Sequence, residues 1–264
     1  INWGRLAPQI AYYVSAYCDM VAAGTIAQGD KINVCVPTGN FGNILAAYIA
    51  KKMGLPVNKF ICASNRNNVL TDFFKKDGEY NRNRDFFTTT SPSMDILISS
   101  NLERLLFFAS DFNDKLVAEL MNKLNTEGSY KVAEDVFAKI EAEFDAGCCD
   151  DSHAADTINK LWKDENYLCD THTAVAFHVA AQKKRQGVPM VVLSTASPFK
   201  FPRSVLSALG NTAPENDFEA MQQLEAATGH TAPASLAALR SKPERFDTVI
   251  APAQIAEVAL GYQA

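Results

Sequence analysis

Nothing in the sequence stays apolar for the roughly 20 consecutive residues a membrane helix needs. The longest candidate runs, such as Val188 to Thr195, have the length of a strand. Positive charge is also in deficit: 25 Lys and Arg stand against 30 Asp and Glu, a net charge of -5. That balance argues against nucleic-acid binding, which calls for a basic face. The six cysteines and four histidines lack paired zinc spacings, so Cys169, His172 and His178 form no metal motif. Neither the Gly-Lys-Ser/Thr of a Walker loop nor a dinucleotide Gly-x-Gly-x-x-Gly occurs. There is no low-complexity tract and no internal repeat. The opening residues lack the basic-then-apolar pattern of a secretory leader. Cys35 and Cys62 lie in apolar runs as small hydrophobes, and the adjacent Cys148 and Cys149 are poorly placed to pair. Together these features predict a reducing, cytoplasmic compartment.

What is present is an ordinary globular composition, 47 % hydrophobic over 264 residues, enough for one large domain or two modest ones. Apolar residues at helical spacing predict a helix over 8–23, with Gly24 as its stop. Lys31 to Val36 is β-rich and almost continuously apolar, as a strand buried on both faces is. A helix over 43–53 and a short strand over 59–63 complete a β-α-β unit, so the sheet is expected to be parallel. Further helices are predicted over 69–75, 102–110, 113–125 and 171–186, with a strand over 190–194. The acidic stretch 130–163 reads as mostly helical with a break at Gly147. The tail from Phe201 reads as short helices between proline turns. The fold class is therefore α/β, a largely parallel sheet flanked by helices.

The most informative stretch is Val36-Pro37-Thr38-Gly39-Asn40-Phe41-Gly42-Asn43, which leaves a strand and opens a helix. A phosphate there would meet several backbone N–H groups and the positive end of the helix dipole. Gly39 and Gly42 permit close backbone approach and positive φ. By spacing alone, a plain strand-to-helix turn with two glycines explains the pattern equally well.

Five stretches in chain order resemble threonine synthases, members of the tryptophan-synthase-β-like group of pyridoxal 5'-phosphate (PLP) enzymes. Thr38-Gly39-Asn40-Phe41-Gly42-Asn43 resembles their cofactor-phosphate loop. Ile1-Asn2-Trp3-Gly4-Arg5 is similar to the end of their Asn-Ser-Ile-Asn-Trp-x-Arg segment. Ala63-Ser64-Asn65, followed by Leu70-Thr71-Asp72-Phe73 and Gly78-Glu79-Tyr80, is similar to their Asn-rich segment. Ser91-Pro92-Ser93-Met94-Asp95-Ile96-Leu97, with Ser99-Ser100-Asn101-Leu102-Glu103-Arg104, is highly characteristic. Ser194 to Phe201 resembles their Thr-Ala-His-Pro-x-Lys-Phe stretch, with Ser197 where His is common. Asp170-Thr171-His172-Thr173 is similar to their Asp-Pro-His-Thr helix start, with Thr171 in place of Pro, and helix capping explains it as well.

The resemblance implies the larger PLP domain of a fold type II enzyme over 1–210, incomplete at its N-terminus, with a helical extension over 211–264 packed on the same domain. It implies that Gly39, Asn40, Phe41, Gly42 and Asn43 hold the cofactor phosphate and that Thr195 hydrogen-bonds the pyridine nitrogen, a neutral partner that moderates the electron sink. Asn2 and Arg5 become candidates for the substrate phosphate, a task suited to the planar guanidinium fork. The family's Schiff-base lysine lies in a Ser-x-Lys-Asp context upstream of the Asn-Trp-x-Arg segment, and no such motif occurs in these residues. Lys200 stands in the Lys-Phe position and is not that lysine. The expectation is thus a C-terminal fragment without its catalytic lysine, inactive alone, partnered by the missing N-terminal part and prone to self-association. The implied whole-enzyme reaction converts O-phosphohomoserine and water to threonine and phosphate. Alternatives are a related PLP phospholyase and a non-catalytic module that binds a phosphorylated ligand.

Overall fold

The computed structural model describes residues 3–184, 187–243, 245 and 248–261. The first element, α1 (Trp3–Ala22), begins five residues before the predicted helix and carries Pro8 inside it. Pro8 has no N–H to reach back one turn and lies on the exposed side of the helix, in its second turn. Its buried residues are Leu6, Tyr13 and Tyr17.

The β-α-β unit forms as expected from β1 (Ile32–Pro37), α2 (Gly42–Lys52) and β2 (Val57–Ser64). There follow α3 (Val69–Lys75), β3 (Glu79–Asn81), α4 (Leu102–Ala109), α5 (Asp114–Thr126), β4 (Ser129–Lys131) and α6 (Glu134–Glu143). Next come β5 (Phe144–Cys148), α7 (Asp151–Glu165), α8 (Thr171–Lys183), β6 (Met190–Val192), α9 (Pro202–Ala208), α10 (Asp217–Thr228), α11 (Ala234–Ala237) and α12 (Ile255–Gly261). The main sheet has the order β5-β2-β1-β6 and is parallel throughout, with Val34 opposite both Phe60 and Val191, and Phe60 opposite Phe144. The strand β5 departs from the helical expectation for 130–163. A small antiparallel pair, β3 with β4, stacks Tyr80 on Tyr130 at 5.3 Å between centroids.

Strand alternation divides the core between the two faces of the sheet. Val34, Val36, Phe60 and Cys62 face one cluster, with Ile44, Leu45 and Tyr48 of α2. Cys35, Ile61 and Ala63 face the other, with Val175 and Val179 of α8. Burial raises the Cys62 thiol to about 12, consistent with a packing role. Because β1 lies inside the sheet, its C-terminal end opens between neighbours, at the carboxyl edge where parallel sheets bind ligands. Among the described residues, no helix is long and apolar enough to cross a membrane.

Candidate phosphate-binding site

The loop from Thr38 to Phe41 joins the end of β1 to α2, and the carbonyl oxygens of Gly39, Asn40 and Phe41 are taken up by other groups of the chain. The Thr38 N–H donates to Ala63 at 2.8 Å and its hydroxyl to the Val36 carbonyl at 2.7 Å. The Gly39 carbonyl accepts from the Ser99 hydroxyl at 2.7 Å. The Asn40 carbonyl accepts from the Asn101 N–H at 3.1 Å and from its Nδ2 at 2.7 Å. The 99–101 segment is itself held by Tyr80, whose hydroxyl accepts from the Ser99 N–H at 2.8 Å and donates to the Leu97 carbonyl at 3.0 Å.

With the carbonyls engaged, the donors remain. Among the described residues, none of the N–H groups from Gly39 to Ile44 donates to another group of the chain. The last of them belong to the first turn of α2, where the helix dipole adds partial positive charge. Residues Gly39 to Asn43 border a cavity of about 230 Å³, which Arg5, Leu6 and Gln9 of α1 also line. Asn101 Oδ1 is buried in the same wall without a partner among the described residues; as an acceptor it is no part of an anion cradle.

Positive φ falls at Phe41 (φ 64) and not at Gly39 or Gly42, the two residues that permit it most readily. A left-handed residue in such a loop turns successive N–H groups toward one side. Phe41 tolerates the conformation because its ring is locked in the core, 6.2 Å from Phe74 and 5.9 Å from Phe144. The two glycines also differ in purpose. A Cβ on Gly39 would lie 2.6 Å from the Ser93 carbonyl oxygen, whereas one on Gly42 would make an ordinary contact at 3.5 Å. Gly39 is therefore fixed by close backbone approach and Gly42 is not.

Asn43 is oriented from α1. The buried Tyr13 hydroxyl lies 2.6 Å from Asn43 Oδ1 and 2.9 Å from its carbonyl oxygen, and among the described residues no group accepts from the Nδ2 donors of Asn43. Burial raises the Tyr13 phenol well above its usual range, so it stays a donor. Arg5, one turn before Gln9, is exposed and shares the cavity with the loop. Thr195 follows β6 at the same carboxyl edge of the sheet; it is exposed, lies outside the cavity wall, and its N–H donates to the Thr173 hydroxyl at 3.2 Å. Asn2 lies outside the described residues. Lys200 lines a different cavity of about 590 Å³, together with Phe201 and Arg203. Cys169, His172 and His178 are not gathered: among the described residues, no three metal-ligating side chains converge.

The supporting residues Tyr13, Ser93, Ser99 and Asn101 were not assigned roles from the sequence. Ser93, Ser99 and Asn101 fall in a stretch whose resemblance was visible, but Tyr13 reads only as one apolar position of a helix. What the arrangement offers chemically is a row of unpaired backbone donors, an oriented amide and a guanidinium around one small cavity, a fit for a phosphate group.

The family model described as "Threonine synthase, C-terminal" matches residues 173–259. The chain is 45 % identical over 210 residues to "Threonine synthase-like 1" of Homo sapiens, covering 79 % of this chain and 28 % of that protein. It is 36 % identical over 259 residues to "Threonine synthase" of Methylobacillus glycogenes, covering 97 % of this chain and 50 % of the relative. A crystal structure of PLP-bound threonine synthase from Brucella melitensis superposes with a TM-score of 0.82 at 37 % identity, over 98 % of this chain and 51 % of that one. The chain thus spans about half or less of the length of these relatives.

Proposed function

We propose, on the premise that this chain belongs to the threonine synthase family, that it provides the PLP cradle of an enzyme converting O-phosphohomoserine and water to threonine and phosphate. The observation that carries the reading is the run of free N–H groups from Gly39 to Ile44 at the head of α2. These groups and the Asn43 amide bind the cofactor phosphate, and the close approach at Gly39 gives the loop its shape. Thr195 offers its hydroxyl to the pyridine nitrogen from the end of β6. Arg5, with Asn2, binds the phosphate of the substrate. When bound, the cofactor supplies the electron sink that makes carbon acidity at the substrate accessible. Residues 1–210 form the cofactor domain and 211–264 an extension of it, in a soluble protein of a reducing compartment. The anchoring lysine is supplied from outside these residues, so borohydride treatment of this chain with PLP is expected to label no single lysine stoichiometrically.

The test is an assay of a full-length protein that carries these residues. Threonine and phosphate in equal amounts from O-phosphohomoserine are expected. A keto acid with no threonine would establish a phospholyase instead. If Asn40→Ala combined with Asn43→Ala left PLP affinity unchanged, the loop would not be the cradle.

A further inference from the structure

The cap of α8 makes more bonds than a helix cap requires. Asp170 is fully buried, and its carboxylate accepts from the N–H of His172 at 2.8 Å and of Thr173 at 3.4 Å, the usual capping bonds. It also binds two side chains: His172 Nδ1 lies 2.9 Å from Oδ1, and the Thr173 hydroxyl donates to Oδ2. Each of these side chains then reaches a different part of the candidate site. His172 Nε2 accepts the Ser93 N–H at 3.2 Å, and the Ser93 carbonyl is the group that lies against Gly39. The Thr173 hydroxyl accepts the Thr195 N–H at 3.2 Å.

The direction of each bond is fixed by chemistry. A backbone N–H can only donate, so His172 Nε2 carries a lone pair and Nδ1 carries the proton, which points to Asp170. Thr173 has one hydroxyl proton; given to Asp170, it leaves the oxygen free to accept from Thr195. The two arms therefore share one buried acceptor, and neither can reverse while the carboxylate stays ionised.

We infer that Asp170 is a positioning residue that sets the phosphate loop and Thr195 at a fixed separation, the His172 arm acting through Ser93 on Gly39 and the Thr173 arm acting on Thr195. This inference rests on the cofactor reading above, in which those two places grip opposite ends of one rigid molecule. A ligand held at both ends is sensitive to their spacing, and small misplacements are costly in such sites.

The arms can be cut separately in the full-length protein. Thr173→Val removes the hydroxyl at nearly constant shape. It is expected to shift the absorption maximum of bound PLP, as the pyridine-nitrogen partner moves, while PLP affinity falls less than about threefold. Thr173→Ser is expected to restore the spectrum. His172→Phe is expected to weaken PLP binding about tenfold, the worth of roughly one charge-assisted hydrogen bond in the cradle, with the absorption maximum in place. Hydrogen exchange in the cofactor-free protein gives a readout independent of binding: Thr173→Val is expected to deprotect the Thr195 amide only, and His172→Phe the Ser93 amide only. Variants that alter thermal stability but neither spectrum, affinity nor these amides would overturn the positioning role. If the unmodified protein bound no PLP while both amides responded as stated, the cofactor reading would fail and the two-armed network would stand. If the amides did not respond, the network itself would be refuted.

Discussion

Two glycines in tight places separate the needs of the site from those of the fold. At Gly39 the obstacle is a backbone oxygen, 2.6 Å from an added Cβ, and a backbone oxygen has no rotamer to retreat into. Gly39→Ala is therefore expected to push the 38–43 loop off the Ser93 segment and weaken PLP or inorganic phosphate binding roughly tenfold to hundredfold, the worth of one or two donors to a charged group. At Gly147 the obstacle is Val179 Cγ1 at 2.8 Å, on the stiff β-branched side chain of a core helix. Gly147→Ala is expected to destabilise by about 1–3 kcal/mol, as overpacking does, with phosphate affinity unchanged in calorimetric titration. Equal losses of affinity in both variants would mean that the loop responds to global stability and not to its own geometry. The sequence marked Gly39 as special but for both possible reasons at once; only the position of the Ser93 carbonyl distinguishes close approach from positive φ, and that carbonyl arrives from 54 residues away.

Among the elements, those with a strong local signal form where the pattern puts them. The β1-α2-β2 unit is legible because a continuous apolar strand, a turn with two glycines and a helical period follow within a short stretch. Strand β5 was not legible. Phe144–Cys148 is only five residues long, contains Asp145 and Gly147, and follows α6 with no turn between. Its strand character comes from pairing with β2, and its glycine from the crossing of Val179, both long-range facts. The cap of α8 was partly legible, since Asp170 before a helical run is a capping signal; its reach to Ser93 and Thr195 was not. The cap carries a pH prediction. Burial pushes the Asp170 carboxyl up, but hydrogen bonds from His172 and Thr173 outweigh it and hold the value below the ordinary aspartate range. A depressed folded-state value means that this stabilisation is complete above the unfolded value of about 3.9 and fades as pH falls through the folded one. Asp170→Asn is thus expected to lower stability at neutral pH, and the gap to the unmodified protein to close progressively below about pH 4. Urea melts across that range check it; a gap that stayed constant would mean that the carboxylate is not what the network stabilises.

For the molecule as a whole, the question is where packing ends. The expectation of an extension over 211–264 on the same domain treats that stretch as one piece, but its burial divides it. In α10, Ala220 and Leu224 are fully buried and Met221 nearly so, and Met221 and Leu224 belong to the same cluster as Val205 and Leu206 of α9. Ala232 is the last buried residue among those described, and from Ala234 onward only Leu236 and Ile250 are even half-buried. Apolar contact, not chain length, determines what a truncation costs. Removing 234–264 is therefore expected to leave the melting temperature of the full-length protein within about 2 °C, the effect of a fraction of a kcal/mol. Leu224→Ala, a single cavity in the α9–α10 contact, is expected to cost about 2–5 kcal/mol. Calorimetry of the two variants decides between one packed extension and a packed helix followed by an exposed tail. A large loss on truncation would show that the exposed face of 234–261 is covered in the full-length protein, whereas a small loss there with a large one at Leu224 would place the end of the cooperative unit between Ala232 and Ala234.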